Sequence, residues 1–188
     1  MNELLELDKL IFYFVNQSLS NPITDTIMPI VTSFKYWLPL YILGIIYLLL
    51  RFRLKGLYIL IVLLFTVGLC DLLNAHILKE YFVRVRPCSA LESVNLLINC
   101  GAGYSFPSNH AVNNFAAATI LSYYFQRKVL VFFVLASLVA LSRIFVGVHY
   151  PIDVICGSLE GVLIGLIVLF FVKKIKYNDK VREQIRIN

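Results

Sequence analysis

GLYILIVLLFTVGLCDLLNAHIL, residues 56–78, decides the fold. Asp71 and His76 are its only ionisable groups besides Tyr58 and Cys70, and as a helix it would run ~35 Å, enough for a hydrocarbon core of ~30 Å. Working outward, residues 36–50 are uncharged and apolar, 108–125 begin polar and turn apolar, 129–148 contain Arg143, and 154–172 contain Glu160. The shorter stretches borrow flanking residues to reach across. The pattern predicts an all-α polytopic transmembrane helical bundle of five spans. Residues 10–34 differ, mixing Leu10-Ile11-Phe12-Tyr13-Phe14 with Asn16, Gln17, Ser18, Asn21, Pro22 and Asp25. They read as N-terminal interfacial amphipathic helices broken at Asn21-Pro22, with a sixth span as the alternative.

Composition agrees. The 188 residues are 60% hydrophobic and 15% charged, with a mean hydropathy of +0.81. Soluble domains carry about 45–50% apolar and ~25% charged residues. The net charge of +6 is not a nucleic-acid signal, because the cations form no face or repeat and six of the seventeen Lys and Arg lie in residues 173–188. Three regions follow: an N-terminal interfacial segment (1–35), a transmembrane domain (36–172) and a basic cytoplasmic tail (173–188). Glu3, Glu6 and Asp8 against Lys9 are the reverse of a signal peptide's basic start. Cys70 and Cys156 fall in apolar runs. Cys88 and Cys100 share one polar loop and can pair if that loop faces an oxidising compartment.

Basic clusters orient the bundle. Arg51/Arg53/Lys55, Arg127/Lys128 and Lys173/Lys174/Lys176 alternate onto one side, which is cytoplasmic by the positive-inside rule. The loop 79–107 and the turn 147–151 then face outward. Lys79, Arg84 and Arg86 violate the rule there, as cations kept for chemistry do.

Three strings meet at that outer face: Lys79-x6-Arg86-Pro87, Pro107-Ser108-Asn109-His110, and Ser142-Arg143-x5-His149-x3-Asp153. Converging cations suit phosphate, and a His with a carboxylate four residues on suits a nucleophile and its orienting partner. In order, each at the edge of an apolar span, the strings resemble the signature of the type-2 phosphatidic acid phosphatase family, membrane lipid phosphatases that use no metal. The resemblance covers residues 71–153. Asn109 departs from it, standing where the family usually has Gly.

The resemblance makes His149 the nucleophile and Asp153 its orienting partner. Locally, Pro151 suits a first helical position and Asp153 the first turn, leaving His149 on the lip. Ser108 reads as a helix N-cap whose following N–H groups, on Asn109 and His110, make an anion site. His110 beside the phosphate suits a general acid. Lys79, Arg86 and Arg143 clamp the oxygens, and Ser108 adds a hydroxyl. Arg84 and Lys35 read as cations contacting lipid headgroups. Asp71, Asn74 and Glu160 read as bundle-facing hydrogen-bonding groups. No His-x2-4-His or Glu-x-x-His pattern appears among the three histidines, so neither a metal nor another cofactor is expected.

The expected protein is therefore a lipid phosphate phosphohydrolase working through a phosphohistidine at the periplasmic face of a bacterial inner membrane. Its partners are the bilayer and a lipid phosphate, with no nucleic acid and no indication of oligomeric state. The short loop 88–106, with Glu92 its only charge, leaves an open mouth. That favours lipid A 1-phosphate, then undecaprenyl diphosphate or phosphatidylglycerophosphate. The rival class is a non-catalytic binder of anionic lipids or a small transporter, which has no use for two histidines with an aspartate.

Overall fold

The computed structural model describes residues 2–174; most of the basic tail, from residue 175, lies outside the described residues. Helix α1 (Asn2–Tyr13) passes through a π-helical turn (Phe14–Ser18) into α2 (Pro22–Thr32). Asn21 breaks the chain as its residue type suggests: its side-chain oxygen accepts from the Ile23 and Thr24 N–H groups at 3.0 and 3.1 Å, with Pro22 next. Then come α3 (Phe34–Phe52), α4 (Leu54–Leu73), a π turn (Asn74–Leu78) and the short α5 (Lys79–Phe82) and α6 (Pro87–Ala90). The long helices α7 (Asn109–Tyr124), α8 (Val129–Phe145) and α9 (Pro151–Lys174) complete the chain. All regular structure among the described residues is helical.

Among the described residues, four segments are long and apolar enough to cross a bilayer: Phe34–Phe52, Leu54–Ala90, Gln126–Phe145 and Pro151–Lys174. Helix α7 is not among them. It sits at the centre, against α4, α8 and α9, so protein rather than lipid covers it and an apolar outer face is not required. Small residues let its neighbours close in. A Cβ on Gly161 would lie 2.2 Å from the Val112 carbonyl oxygen, and one on Gly157 would lie 2.9 Å from that of Ser108. Together with Gly165, these residues form a four-residue-spaced stripe on α9 that brings its backbone against α7.

The N-terminal helices turn polar groups into the bundle. Leu4, Leu7, Leu10, Ile11 and Phe14 are exposed, whereas Asp8 and Asn16 are buried. Phe12 and Val15 pack with Ile144, Phe145, Tyr150 and Val154. Burying two polar side chains is tolerated because both find partners in the bundle. The Asn16 amide donates to the Phe145 carbonyl (2.8 Å) and the Asn95 carbonyl (2.9 Å), and accepts from the Asn95 N–H (2.9 Å). The segment thus ties the 92–97 loop to the end of α8. A Cys88–Cys100 disulfide closes that loop.

Candidate active site

The third string is built by two helix ends. Helix α8 stops after Phe145, and the Val148 and His149 N–H groups turn back onto the Arg143 carbonyl (3.2 and 3.3 Å). Gly147, at φ +85°, makes the turn against Asn95 and Asn16. Pro151 then opens α9. His149, only 2% exposed, is held on the lip between the helices.

Its two nitrogens face different groups. Arg86 Nη1 lies 3.2 Å from Nε2, and Asp153 Oδ2 lies 3.5 Å from Nδ1, the outer limit of a hydrogen bond. Arginine can only donate, so Nε2 carries a lone pair and the neutral ring keeps its proton on Nδ1, toward the carboxylate. Burial pushes the imidazole down to about 4, more than the Asp153 interaction raises it. His149 is neutral at pH 7, with Nε2 free as a base or nucleophile.

The other strings converge on the same place. Arg86 also donates to the carbonyls of Gly103 (3.1 Å) and Val148 (3.2 Å), and Lys79 Nζ donates to the Tyr104 carbonyl (2.9 Å). Lys79, Arg86, Arg143 and Asp153 interact electrostatically, as do His110, Arg143 and His149. Arg143, 8% exposed, donates to Thr32 Oγ1 (2.5 Å) while its Nε finds no partner. Ser108 takes the N-cap position of α7, but its hydroxyl makes no capping bond and is buried without a partner. The Ser108 N–H goes instead to the Asp153 carbonyl (3.1 Å), joining the second string to the third. Ser108 Oγ, Arg143 Nε and His149 Nδ1 are all buried without a hydrogen-bond partner, and a hydroxyl with a guanidinium is the donor chemistry that suits a tetrahedral oxyanion.

Asn109 stands apart. Its amide lies 3.5 Å from Asp71 Oδ1, which also accepts from Asn113 at 2.8 Å, so its contribution to an anion would come from its backbone N–H. Asp71 is exposed and Asn74 is fully buried with both amide atoms unpartnered, so the hydrogen-bonding role expected of Asn74 is not seen.

Arg84 is not a headgroup-contacting cation. Its guanidinium bridges two buried carboxylates, with Nη1 2.6 Å from Asp153 Oδ1 and Nη2 on Asp8 Oδ2. Asp8 and Thr32 went unrecognised in the sequence. The available signals were slight: Asp8 is one of three acids in a leucine-rich helix, and Arg84 stands two residues before Arg86 in an extended segment.

Residues 55–177, which hold all three strings, match the model of the PAP2 superfamily. The chain belongs to the PAP2 superfamily. A transmembrane PAP2-type phosphatidylglycerolphosphate phosphatase from Bacillus subtilis has the same fold, with a TM-score of 0.73, 27% identity and coverage of 95% of this chain and 90% of that one. The lipid A 4'-phosphatase of Bacteroides thetaiotaomicron is 28% identical over 181 residues, 92% of this chain and 80% of the relative. The bacitracin transport permease protein BcrC of Bacillus licheniformis is 37% identical over 92 residues, and the chain spans 45% of its length. PAP2 membership makes the chain a phosphatase by family, with lipid phosphate hydrolysis as the activity class.

Proposed function

We propose that the protein is a metal-independent lipid phosphate phosphohydrolase working through a phosphohistidine on His149. The observation that carries this reading is the buried imidazole between Arg86 on Nε2 and Asp153 on Nδ1. Lys79, Arg86, Arg143, Ser108 and the first N–H groups of α7 hold the phosphate oxygens, and Arg86 swings from Nε2 onto the incoming anion. The Nε2 lone pair forms the N–P bond as the P–O bond to the lipid breaks. The leaving oxygen keeps the electron pair and takes a proton from His110. Water then attacks phosphorus, gives a proton to His110, and the N–P electrons return to Nε2. The cations neutralise charge as phosphorus becomes five-coordinate.

α7 serves as the fifth span, residues 36–172 form the phosphatase domain, and the basic clusters put the site on the periplasmic face of the inner membrane. The substrate is a phosphate of lipid A; the short loop 88–106, with Glu92 its only charge, and the likeness to a lipid A 4'-phosphatase both support it. Purified protein in detergent is assayed against lipid A 1-phosphate, lipid A 4'-phosphate, undecaprenyl diphosphate and phosphatidylglycerophosphate, with and without chelator. Phosphate release from lipid A that survives chelation and is lost in His149→Ala is the expected result. Binding without release would identify an anionic-lipid binder, and release restored only by divalent ions would overturn the clamp.

A further inference from the structure

Arg84 occupies an unspecified position of the first string, and Asp8 lies outside all three strings and outside the residues 55–177 that match the family model. Their placement is unusual for charged side chains. Asp8 and Asp153 have fully buried side chains and Arg84 is 19% exposed. Burying an ion pair is costly, and the cost is recovered only where every polar atom is engaged. Here the engagement is extensive. Asp8 Oδ1 accepts the Ile152 N–H at 2.9 Å, capping the first turn of α9 from another helix, while Oδ2 takes Arg84. Arg84 stacks on the Tyr150 ring, 4.0 Å from its centroid, and Tyr150 donates its N–H to Asp153 Oδ2 at 2.9 Å.

The two oxygens of Asp153 therefore divide their work. Oδ1 is held by Arg84, and Oδ2 takes the Tyr150 N–H and lies 3.5 Å from Nδ1 of His149. Without Arg84 the carboxylate would be drawn toward Lys79 and Arg86, which carry it in their own electrostatic surroundings. Charge is balanced as well as direction. Lys79, Arg84, Arg86 and Arg143 are four cations against Asp8 and Asp153, leaving two positive charges for a doubly charged phosphate.

We propose that Asp8 and Arg84 are positioning residues for the nucleophile: Arg84 aims Asp153 at His149, and Asp8 anchors Arg84, caps α9 and offsets the guanidinium charge. The proposal rests on the reading of His149 as nucleophile. It makes the N-terminal helix part of the catalytic machinery.

The charged groups that bear on His149 are Asp153 from α9, Arg143 from α8, Arg86 from the segment before α6, and His110 from α7. Those around the Asp8–Arg84 pair are Tyr13 from α1, Tyr150 before α9, and Cys156 within it. Lys79 acts on Asp153 from α5. None of these changes in the variants below, so a displaced profile reports the altered charge.

The test is the acid limb of the rate profile, which rises as His149 becomes neutral, measured with lipid A in detergent micelles. Arg84→Gln leaves Asp153 unopposed and should move the limb up by about one pH unit; Asp8→Asn leaves Arg84 unopposed and should move it down by a similar amount. The double variant Asp8→Asn/Arg84→Gln should return the limb to within about 0.3 units of wild type while kcat stays low, because charge is rebalanced but aim is lost. Each single variant should lower kcat at least about tenfold with KM changed less than about threefold, since neither residue contacts the phosphate. Arg84→Lys keeps the charge without the fork, so its limb should stay at the wild-type position with kcat reduced; with Asp8→Asn it carries the test if Arg84→Gln does not fold. Limbs that stay together while kcat falls in step with thermal stability would show a structural contact only and overturn the proposal. Wild type labelled from radioactive lipid A should yield an acid-labile phosphoenzyme. Its absence would mean that the nucleophile reading has failed, whereas its presence with unmoved limbs would mean that only the positioning proposal has.

Discussion

Ser108→Ala separates a catalytic hydroxyl from a structural one. The Ser108 side chain is fully buried, and its hydroxyl has no hydrogen-bond partner. Its backbone is engaged, donating to the Asp153 carbonyl at 3.1 Å and accepting from the Val112 N–H at 3.0 Å, and alanine keeps both bonds. Deleting an unpartnered buried hydroxyl should change stability by less than about 0.5 kcal/mol, because no bond is lost and a desolvated polar group is removed. Catalysis should respond very differently. A hydrogen bond to a charged group contributes about 1.5–3 kcal/mol. At about 1.4 kcal/mol per tenfold, turnover should fall about 10- to 150-fold. Phosphate release from lipid micelles and thermal unfolding in the same detergent give both quantities. Turnover within threefold of wild type, or a melting temperature that drops along with activity, would refute the assignment of Ser108 to the phosphate.

Other outcomes follow from the same geometry. Gly161→Ala puts a Cβ 2.2 Å from the Val112 carbonyl oxygen and should destabilise the bundle by about 1–3 kcal/mol, seen as a lowered unfolding temperature; an unchanged one would mean that α7 and α9 do not meet there. His110→Ala should slow poor leaving groups more than good ones, and equal losses would remove it as the proton donor. An imidazole resonance assigned to His149 should titrate below the ordinary value of 6.5, toward about 4, because burial disfavours the cation; titration above 6.5 would mean that Asp153 dominates. A membrane-impermeant thiol reagent on intact spheroplasts should reach Cys88 and Cys100 only after reduction, and should miss buried Cys70. Labelling only after the membrane is opened would turn the site toward the cytoplasm.

Local structure was readable in the chain because its causes are local. The apolar stretches 36–50, 56–78, 129–148 and 154–172 became α3, α4, α8 and α9, since an unpaired backbone in lipid leaves a long apolar segment little choice but helix. Asn21-Pro22, Ser108 and Pro151 marked helix boundaries because capping chemistry acts over three or four residues. Asp71 bonds Asn113 of α7 as expected of a bundle hydrogen-bonding group, but Asn74 gave no hint that it would stay unpartnered.

The residue types, order and spacing of the three strings were likewise determined by sequence alone. Only the tertiary structure decided which charges meet. Arg84 finds Asp8 across 76 residues, Arg143 finds Thr32 across 111, and Asn16 reaches the Phe145 carbonyl across 129. No local propensity selects among partners at such distances. In an apolar bundle each buried charge or amide must be satisfied by whatever the packing brings within about 3 Å, and that packing is set by the whole set of helices: the glycine stripe that pulls α9 onto α7, and the docking of α1 that turns Asp8 inward.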